Sequence, residues 1–212
     1  MKDATPGHLA KDAQLAGKAA LAVTAAAIPV VGGSISAAIG VWETEALTRR
    51  FERFVERVEA KVAELGAGKL DADYVGTEAF EDAVLVALDG ARRTSNAEKL
   101  EWIVGLLVGS ALVDPPAQLD IESVLQAIGD LSPIELRAGR RIFLDGRKQS
   151  KLFPRSIAEP AIPDVDFHLK RLEAAGLIVR EGTPDLIGFN HQGVRPTETF
   201  NRIMAVLKAS GS

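Results

Sequence analysis

Apolar side chains recur every three or four residues along much of the chain, which predicts a mostly α-helical protein. The clearest case runs from Thr44 to Leu65, where charged residues, Lys61 among them, occupy the rest of the helix surface. The glycines that begin at Gly66 predict the end of this helix. Its predicted buried stripe consists of Leu47, Phe51, Phe54, Val58, Val62 and Leu65.

Three more helices are predicted before residue 131. Thr77 opens the first, and Ser95 with Glu98 predicts a capping box for the second, over Asn96–Leu112. After Trp102 this second helix is apolar nearly all round, so we expect it to be the central and most buried one. A shorter helix is predicted over Ile121–Ile128. The predicted buried side of the first helix consists of Phe80, Val84, Leu85 and Leu88.

The remaining residues predict a different module. Ser132, Pro133 and Glu135 form a strong helix start, so we place a boundary between a helical bundle at 1–130 and a second domain at 131–212. A proline-punctuated connector over Leu144–Asp164 leads to a helix capped by Asp164 or Asp166 and then to a hairpin with a Gly-Thr-Pro-Asp turn. The last helix is amphipathic, and its predicted apolar side consists of Phe200, Ile203, Met204 and Leu207. This order is typical of a winged helix, with its usual second helix either very short, near Arg155–Glu159, or missing. The predicted fold class is therefore a mostly α bundle plus a winged-helix-like module with a small β-hairpin.

The segment Ala19–Trp42 carries no charge, and it has two interpretations. Its length suffices to cross a bilayer, whereas its central proline and glycines favour a buried helical hairpin. Gly32, Ser36 and Gly40 form a small-residue stripe that allows close helix approach, in a core, between copies or in a membrane.

Charge divides the chain in the same way as the helix pattern. Residues 1–130 hold 12 Lys/Arg against 20 Asp/Glu, whereas residues 131–212 hold 13 against 9. Only the second part is suited to a phosphate backbone. The chain has no cysteine, which excludes disulfides and thiolate catalysis and is compatible with the cytoplasm, where we expect the protein, with peripheral membrane association as the alternative.

No catalytic constellation is recognisable. The three histidines lie far apart in the sequence, and no phosphate-binding loop or nucleophile motif occurs. We therefore expect no enzyme activity, no metal and no cofactor.

The basic residues of the second part give a candidate nucleic-acid surface. His168, Lys170 and Arg171 lie on the predicted reading helix, although Asp164, Asp166 and Glu173 nearby would repel phosphate. The alternative is a module used only for packing or protein contacts. The candidate DNA-contacting residues are Arg140, Arg141, Lys148, His168, Lys170 and Arg171.

Three stretches have a recognisable pattern: "ALDGARRTSNAEKLEWIVGLLVGSALVD", "VLQAIGDLSPIELRAGRRIF" and "FHLKRLEAAGLI". They resemble the bacterial abortive infection alpha family. The chain departs from the family pattern at "IVGLL", where an aromatic-Ala-Asn is more usual. The resemblance implies a role in phage defence and transfers no functional residue.

Three functional hypotheses follow. The first is a non-enzymatic phage-defence protein that acts through a protein partner or self-association. The second is a winged-helix DNA-binding regulator, and the third is a membrane-active effector that inserts residues 19–42.

Overall fold

The computed structural model describes residues 45–146, 164–181 and 193–211. In these ranges the protein is mostly α-helical, with eight α-helices and one two-stranded antiparallel sheet, which confirms the predicted fold class at this level. The helices are α1 (Glu45–Leu65), α2 (Ala72–Val75), α3 (Glu78–Arg92), α4 (Ala97–Ser110), α5 (Ile121–Asp130), α6 (Pro133–Gly146), α7 (Val165–Ala174) and α8 (Glu198–Ala209). The strands are β1 (Ile178–Glu181) and β2 (Gly193–Pro196).

Helix α4 is the centre of the structure, as its sequence predicts. Every residue from Trp102 to Gly109 is buried, and the helix packs against α1, α3, α5, α6 and α8. A helix that is apolar on all sides has no face for water, so it is most stable when other helices surround it. Buried residues from both sides of the predicted boundary at 130/131 belong to one hydrophobic cluster.

The last helix, α8, lies directly against α4. The rings of Trp102 and Phe200 stack with their centroids 6.4 Å apart, and Phe143 of α6 meets Phe200 edge-on at 6.1 Å. The two helices are close at Gly109, where an added Cβ would lie 2.7 Å from Val206 Cγ1. Glycine at this position therefore lets the two helices approach.

The two strands continue from α7 and lead into α8. Ile178 pairs with Pro196 and Glu181 with Gly193, and the Thr197 N–H donates to the Leu177 carbonyl at 2.9 Å. Arg180 of β1 reaches back to α7, where its Nη1 donates to Asp166 Oδ1 at 2.8 Å. The sheet is thus fixed to both neighbouring helices.

Several predicted helix boundaries are confirmed. Thr77 caps α3 by accepting from the Phe80 N–H, and Gly66 ends α1 with a φ of +86°. At the start of α6 the capping box is complete, since Glu135 Oε2 accepts from the Ser132 N–H and Ser132 Oγ accepts from the Glu135 N–H. The last helix also buries Phe200, Ile203 and Leu207 as predicted.

Other helix-end predictions were wrong. Asn96, not Ser95, caps α4, because its Oδ1 accepts from the Lys99 N–H at 2.8 Å and the exposed Ser95 lies one residue too early. Asp164 occupies the N-cap position of α7 but makes no side-chain cap, since its backbone is left-handed with a φ of 50°. The predicted hairpin pairing was also wrong. Glu181, the last residue of β1, pairs with Gly193, which lies well beyond the predicted Gly-Thr-Pro-Asp turn at 182–185.

Two burial predictions were wrong as well. Leu85 is 50% exposed, because Phe80, Val84 and Leu88 set the inward face of α3 and each residue turns about 100° from the one before it. Lys61, which was assigned to the surface, is buried, and its Nζ pairs with Glu101 Oε1 of α4 at 3.2 Å.

Some predictions fall outside the described residues. These are the segment Ala19–Trp42 with its stripe of Gly32, Ser36 and Gly40, the short helix near 155–159 and the Gly-Thr-Pro-Asp turn. Across the described ranges, no helix combines the length and the apolar character that a membrane crossing needs.

Replacing Gly109 with alanine should destabilise the protein, because the new methyl group would overlap Val206 on α8. We expect a loss of about 1–3 kcal/mol in the free energy of unfolding, measured by urea denaturation. Gly68→Ala is the matched control, since nothing lies within 4 Å of its added Cβ. Equal stability of the two variants would contradict the close approach of α4 and α8.

Candidate functional site

The link between α5 and α6 is stabilised by two cations. The buried Lys99 Nζ donates to the carbonyls of Gly129 and Leu131, both at 2.6 Å. Arg171 of α7 donates from Nη2 to the carbonyl between them, that of Asp130, at 2.9 Å. Burial, reinforced by the nearby Arg93 guanidinium, lowers the pKa of Lys99 below its usual value. Three successive carbonyls at a helix end thus receive charged donors.

We call this link between α5 and α6, with the side chains of Lys99, Glu135 and Arg171, the junction. Glu135 is its carboxylate, and it is only 3% exposed. Besides its bond from the Ser132 N–H at 2.6 Å, it lies 3.4 Å from His168 Nδ1 and 3.5 Å from Arg171 Nε. Burial alone would raise the pKa of Glu135, but the hydrogen bonds from Ser132 and His168 and the charge of Arg171 outweigh it and hold the pKa below its usual value. Glu135 is therefore the charged partner that joins α6 to α7.

This arrangement determines where the predicted reading-helix residues lie. His168 is half-buried against Glu135, and Arg171 faces the same carboxylate and the end of α5. Lys170 points to solvent with 69% of its side chain exposed, and its Nζ lies 3.3 Å from Asp166 Oδ2. Of the three, Lys170 is the most exposed, and the side chain of Arg171 is 47% exposed.

The other candidate basic residues lie on α6 or beyond it. Arg140 Nη1 lies 3.8 Å from Glu98 Oε1 of α4, and Arg141 Nε donates to Asp145 Oδ2 at 2.7 Å. Lys148 lies outside the described residues. Both described arginines are exposed, and each has a carboxylate neighbour.

A groove of about 1050 Å³ runs between α6 and α8. Its wall on α6 includes Phe143 and Leu144, of which Leu144 is 50% exposed. Arg140 and Lys208 supply positive charge, and the described residues of its lining include no carboxylate. An open apolar surface with basic borders is typical of a contact site for a macromolecule. The lining residues are Pro116, Arg140, Phe143, Leu144, Pro196, Asn201, Met204, Ala205, Lys208 and Ala209.

Sequence reasoning missed this groove, although part of the signal was present. We assigned Leu144 to the connector, whereas α6 continues to Gly146. On a continuous helix, Leu144 follows Arg140 by four residues and therefore lies on the same side. The pairing of α6 with α8 across this gap is a long-range feature that a local pattern does not contain.

A second, smaller groove of about 560 Å³ lies among α3, α5 and α7. Glu122, Gln126, Asp130 and Arg171 line it with several apolar residues, and Gln126 donates to Asp130 and lowers the pKa of that carboxylate. Within residues 45–146, 164–181 and 193–211, no group of three or more His, Asp or Glu side chains is arranged to hold a metal ion.

Comparison of the chain with protein-family models, with curated proteins and with solved structures found no significant match.

Replacing Glu135 with glutamine should remove the negative charge that faces Arg171 and His168, and it should lower the free energy of unfolding by about 1–3 kcal/mol at pH 7. Because the folded-state pKa of Glu135 is lowered, its contribution is complete above the unfolded-state pKa and is lost as the pH falls through the folded-state pKa. Urea denaturation between about pH 5 and pH 3 should therefore show a smaller decline for Glu135→Gln than for the original chain.

Glu198→Gln is the matched control, since this carboxylate is exposed at the start of α8 and pairs only with Arg202 among the described residues. It should leave the pH profile close to that of the original chain. If Glu135→Gln did the same, Glu135 would not be the group that holds the junction.

Proposed function

We propose that this chain is a non-enzymatic interaction protein of bacterial phage defence, and that the groove between α6 and α8 is its contact surface. Protein partners or further copies of the chain bind there, in the cytoplasm. The proposal assigns no substrate and no cofactor.

The observation that carries this proposal is the exposed apolar lining of the groove. A solvent-exposed leucine beside a half-buried Phe143 and Met204 leaves apolar area in water, which binding of a protein would remove. Basic residues at the border suit contact with an acidic surface, since complementary charge favours the correct partner and speeds the encounter. Leu144 therefore combines exposure with a position where a partner would cover it.

The phage-defence part of the proposal is supported by the sequence resemblance. The stretches that resemble the abortive infection alpha family span α3, α4, α5, α6 and α7, which include one wall of the groove. The resemblance brings no catalytic residue with it, so contact with other proteins is the simplest route to an effect.

Expression of the full chain in a bacterial host challenged with a panel of phages tests this function. We expect at least one phage to form about tenfold fewer plaques, and Leu144→Glu to restore plaque formation because a carboxylate in the apolar groove opposes binding. Val113→Glu is the matched control, since Val113 is 63% exposed and lies outside the groove lining.

The proposed function would be overturned if the original chain left plaque numbers unchanged on every phage. If both variants protected as well as the original chain, the groove between α6 and α8 would not be the contact surface. Equal thermal unfolding of the two variants confirms that loss of protection does not arise from misfolding.

DNA binding is a second candidate function, favoured by the order of elements in the last third of the chain. A helix with an exposed lysine, α7, is followed by the antiparallel strands β1 and β2 and by α8, the order expected of a winged helix. Arg140 and Arg141, exposed on α6, would add phosphate contacts.

A gel shift at low salt tests this candidate with Lys170→Ala. We expect DNA binding that weakens with salt, a dissociation constant raised about threefold or more by the substitution, and a smaller salt slope, since one phosphate contact is lost. Lys69→Ala, at an exposed lysine before α2, should bind as the original chain does. A chain that shifts no DNA at low salt has no such function.

A further inference from the structure

We infer that the groove between α6 and α8 binds the outward face of α3 from a second copy of this chain. The inference rests on the proposed function, in which this groove is the contact surface, and it names the occupant. The contact joins two different surfaces, so it repeats from copy to copy.

The outward face of the first half of α3 carries three acidic residues, and one exposed apolar residue follows them. Glu78, Glu81, Asp82 and Leu85 are all exposed, and they follow one another at intervals of three, one and three residues. At 100° per residue, these four side chains share one side of the helix. Leu85 thus stands in water beside three carboxylates, and we name these four residues the acidic face.

The groove between α6 and α8 has basic borders, the opposite charge to the acidic face. Arg140 and Lys208 are exposed at its borders, and its described lining contains no carboxylate. Phe143, Leu144 and Met204 supply apolar surface in which a leucine from a facing helix would be shielded from water. An apolar residue that follows three carboxylates on one side of a helix therefore meets an apolar surface with basic borders, which satisfies both the hydrophobic and the electrostatic requirement.

One copy cannot make this contact with itself. The inward face of α3, with Phe80, Val84 and Leu88, is fixed in the core, and no residue of α3 lines the groove. The acidic face and the groove are therefore separate surfaces of a single body. A contact between two different surfaces is heterologous, so each added copy leaves one acidic face and one groove free, and assembly gives rings or chains.

Light scattering of the full-length protein over a range of concentrations and salt tests the contact. We expect the average mass to rise with concentration and to fall with added salt, since the attraction includes exposed charges. Leu85→Lys places a cation opposite the basic border, and Leu144→Glu places a carboxylate opposite the acidic face. Each should raise the apparent dissociation constant at least tenfold, whereas Val113→Lys and Val113→Glu should leave it unchanged.

Mixing the two variants gives the sharper measurement. A copy with Leu85→Lys keeps an intact groove, and a copy with Leu144→Glu keeps an intact acidic face. Together they form one original contact. Extension would require the two substituted surfaces to meet, where an exposed Lys–Glu pair worth at most about 1 kcal/mol replaces both leucines, so further association is much weaker. We expect each variant alone to be monomeric and the mixture to give a species of two copies and no larger.

Three outcomes would overturn the inference: an original chain that is monomeric at all concentrations, association that neither variant weakens, or a mixture that stays monomeric. The phage experiment separates this failure from that of the proposed function. If Leu144→Glu abolishes protection by a chain that is monomeric, a different protein occupies the groove and only self-association is overturned. If the chain assembles as described and gives no protection, only the phage-defence function is overturned.

Discussion

The structure depends on how the buried backbone between α5 and α6 finds its hydrogen bonds. Gly129 and Leu131 are buried, and a buried carbonyl without a donor costs about 1–3 kcal/mol. Lys99 and Arg171 supply the donors, and Glu135 holds Arg171 in place while it caps α6. Lys99, Arg171 and Glu135 come from α4, α7 and α6. The hydrogen bonds that satisfy these carbonyls therefore also fix the relative positions of three helices.

The junction also reduces the positive charge that residues 131–212 present to solvent. Of the basic residues there, Arg171 satisfies a carbonyl and a buried carboxylate, and Arg180 is largely buried against Asp166 and Glu173. A guanidinium used in this way contributes little to an external field, because its partner carboxylate cancels it at short range. Net charge counted along the sequence therefore overstates the surface charge available to a phosphate backbone. Two exposed cations border an apolar groove: Lys208, and Arg140, whose Nη1 lies 3.8 Å from Glu98 Oε1.

Local signals predicted the elements well and the long-range contacts poorly. Thr77, Gly66 and the Ser132–Glu135 capping box act within one helical turn, so their residues alone determine the helix end. The charge-free stretch of α4 from Trp102 to Gly109 likewise predicted burial. By contrast, the burial of Lys61 depends on Glu101 and on the Gly211 carbonyl 150 positions away, and the true partner of β1 is a four-residue strand too short to show alternation. The groove was missed for the same reason, since its two walls come from α6 and α8.

The exposure of Leu85 shows why such errors bear on function. A leucine among helix-spaced apolar residues is expected to be buried, and in a single copy this one is not, because Phe80, Val84 and Leu88 already define the inward face. An exposed leucine costs nothing in folding, since it is exposed in the unfolded chain as well, but it keeps apolar area available for association. Its acidic neighbours discourage nonspecific clustering, because two such faces repel each other. Carboxylates around an exposed leucine thus select for a basic apolar surface, and the groove between α6 and α8 presents one.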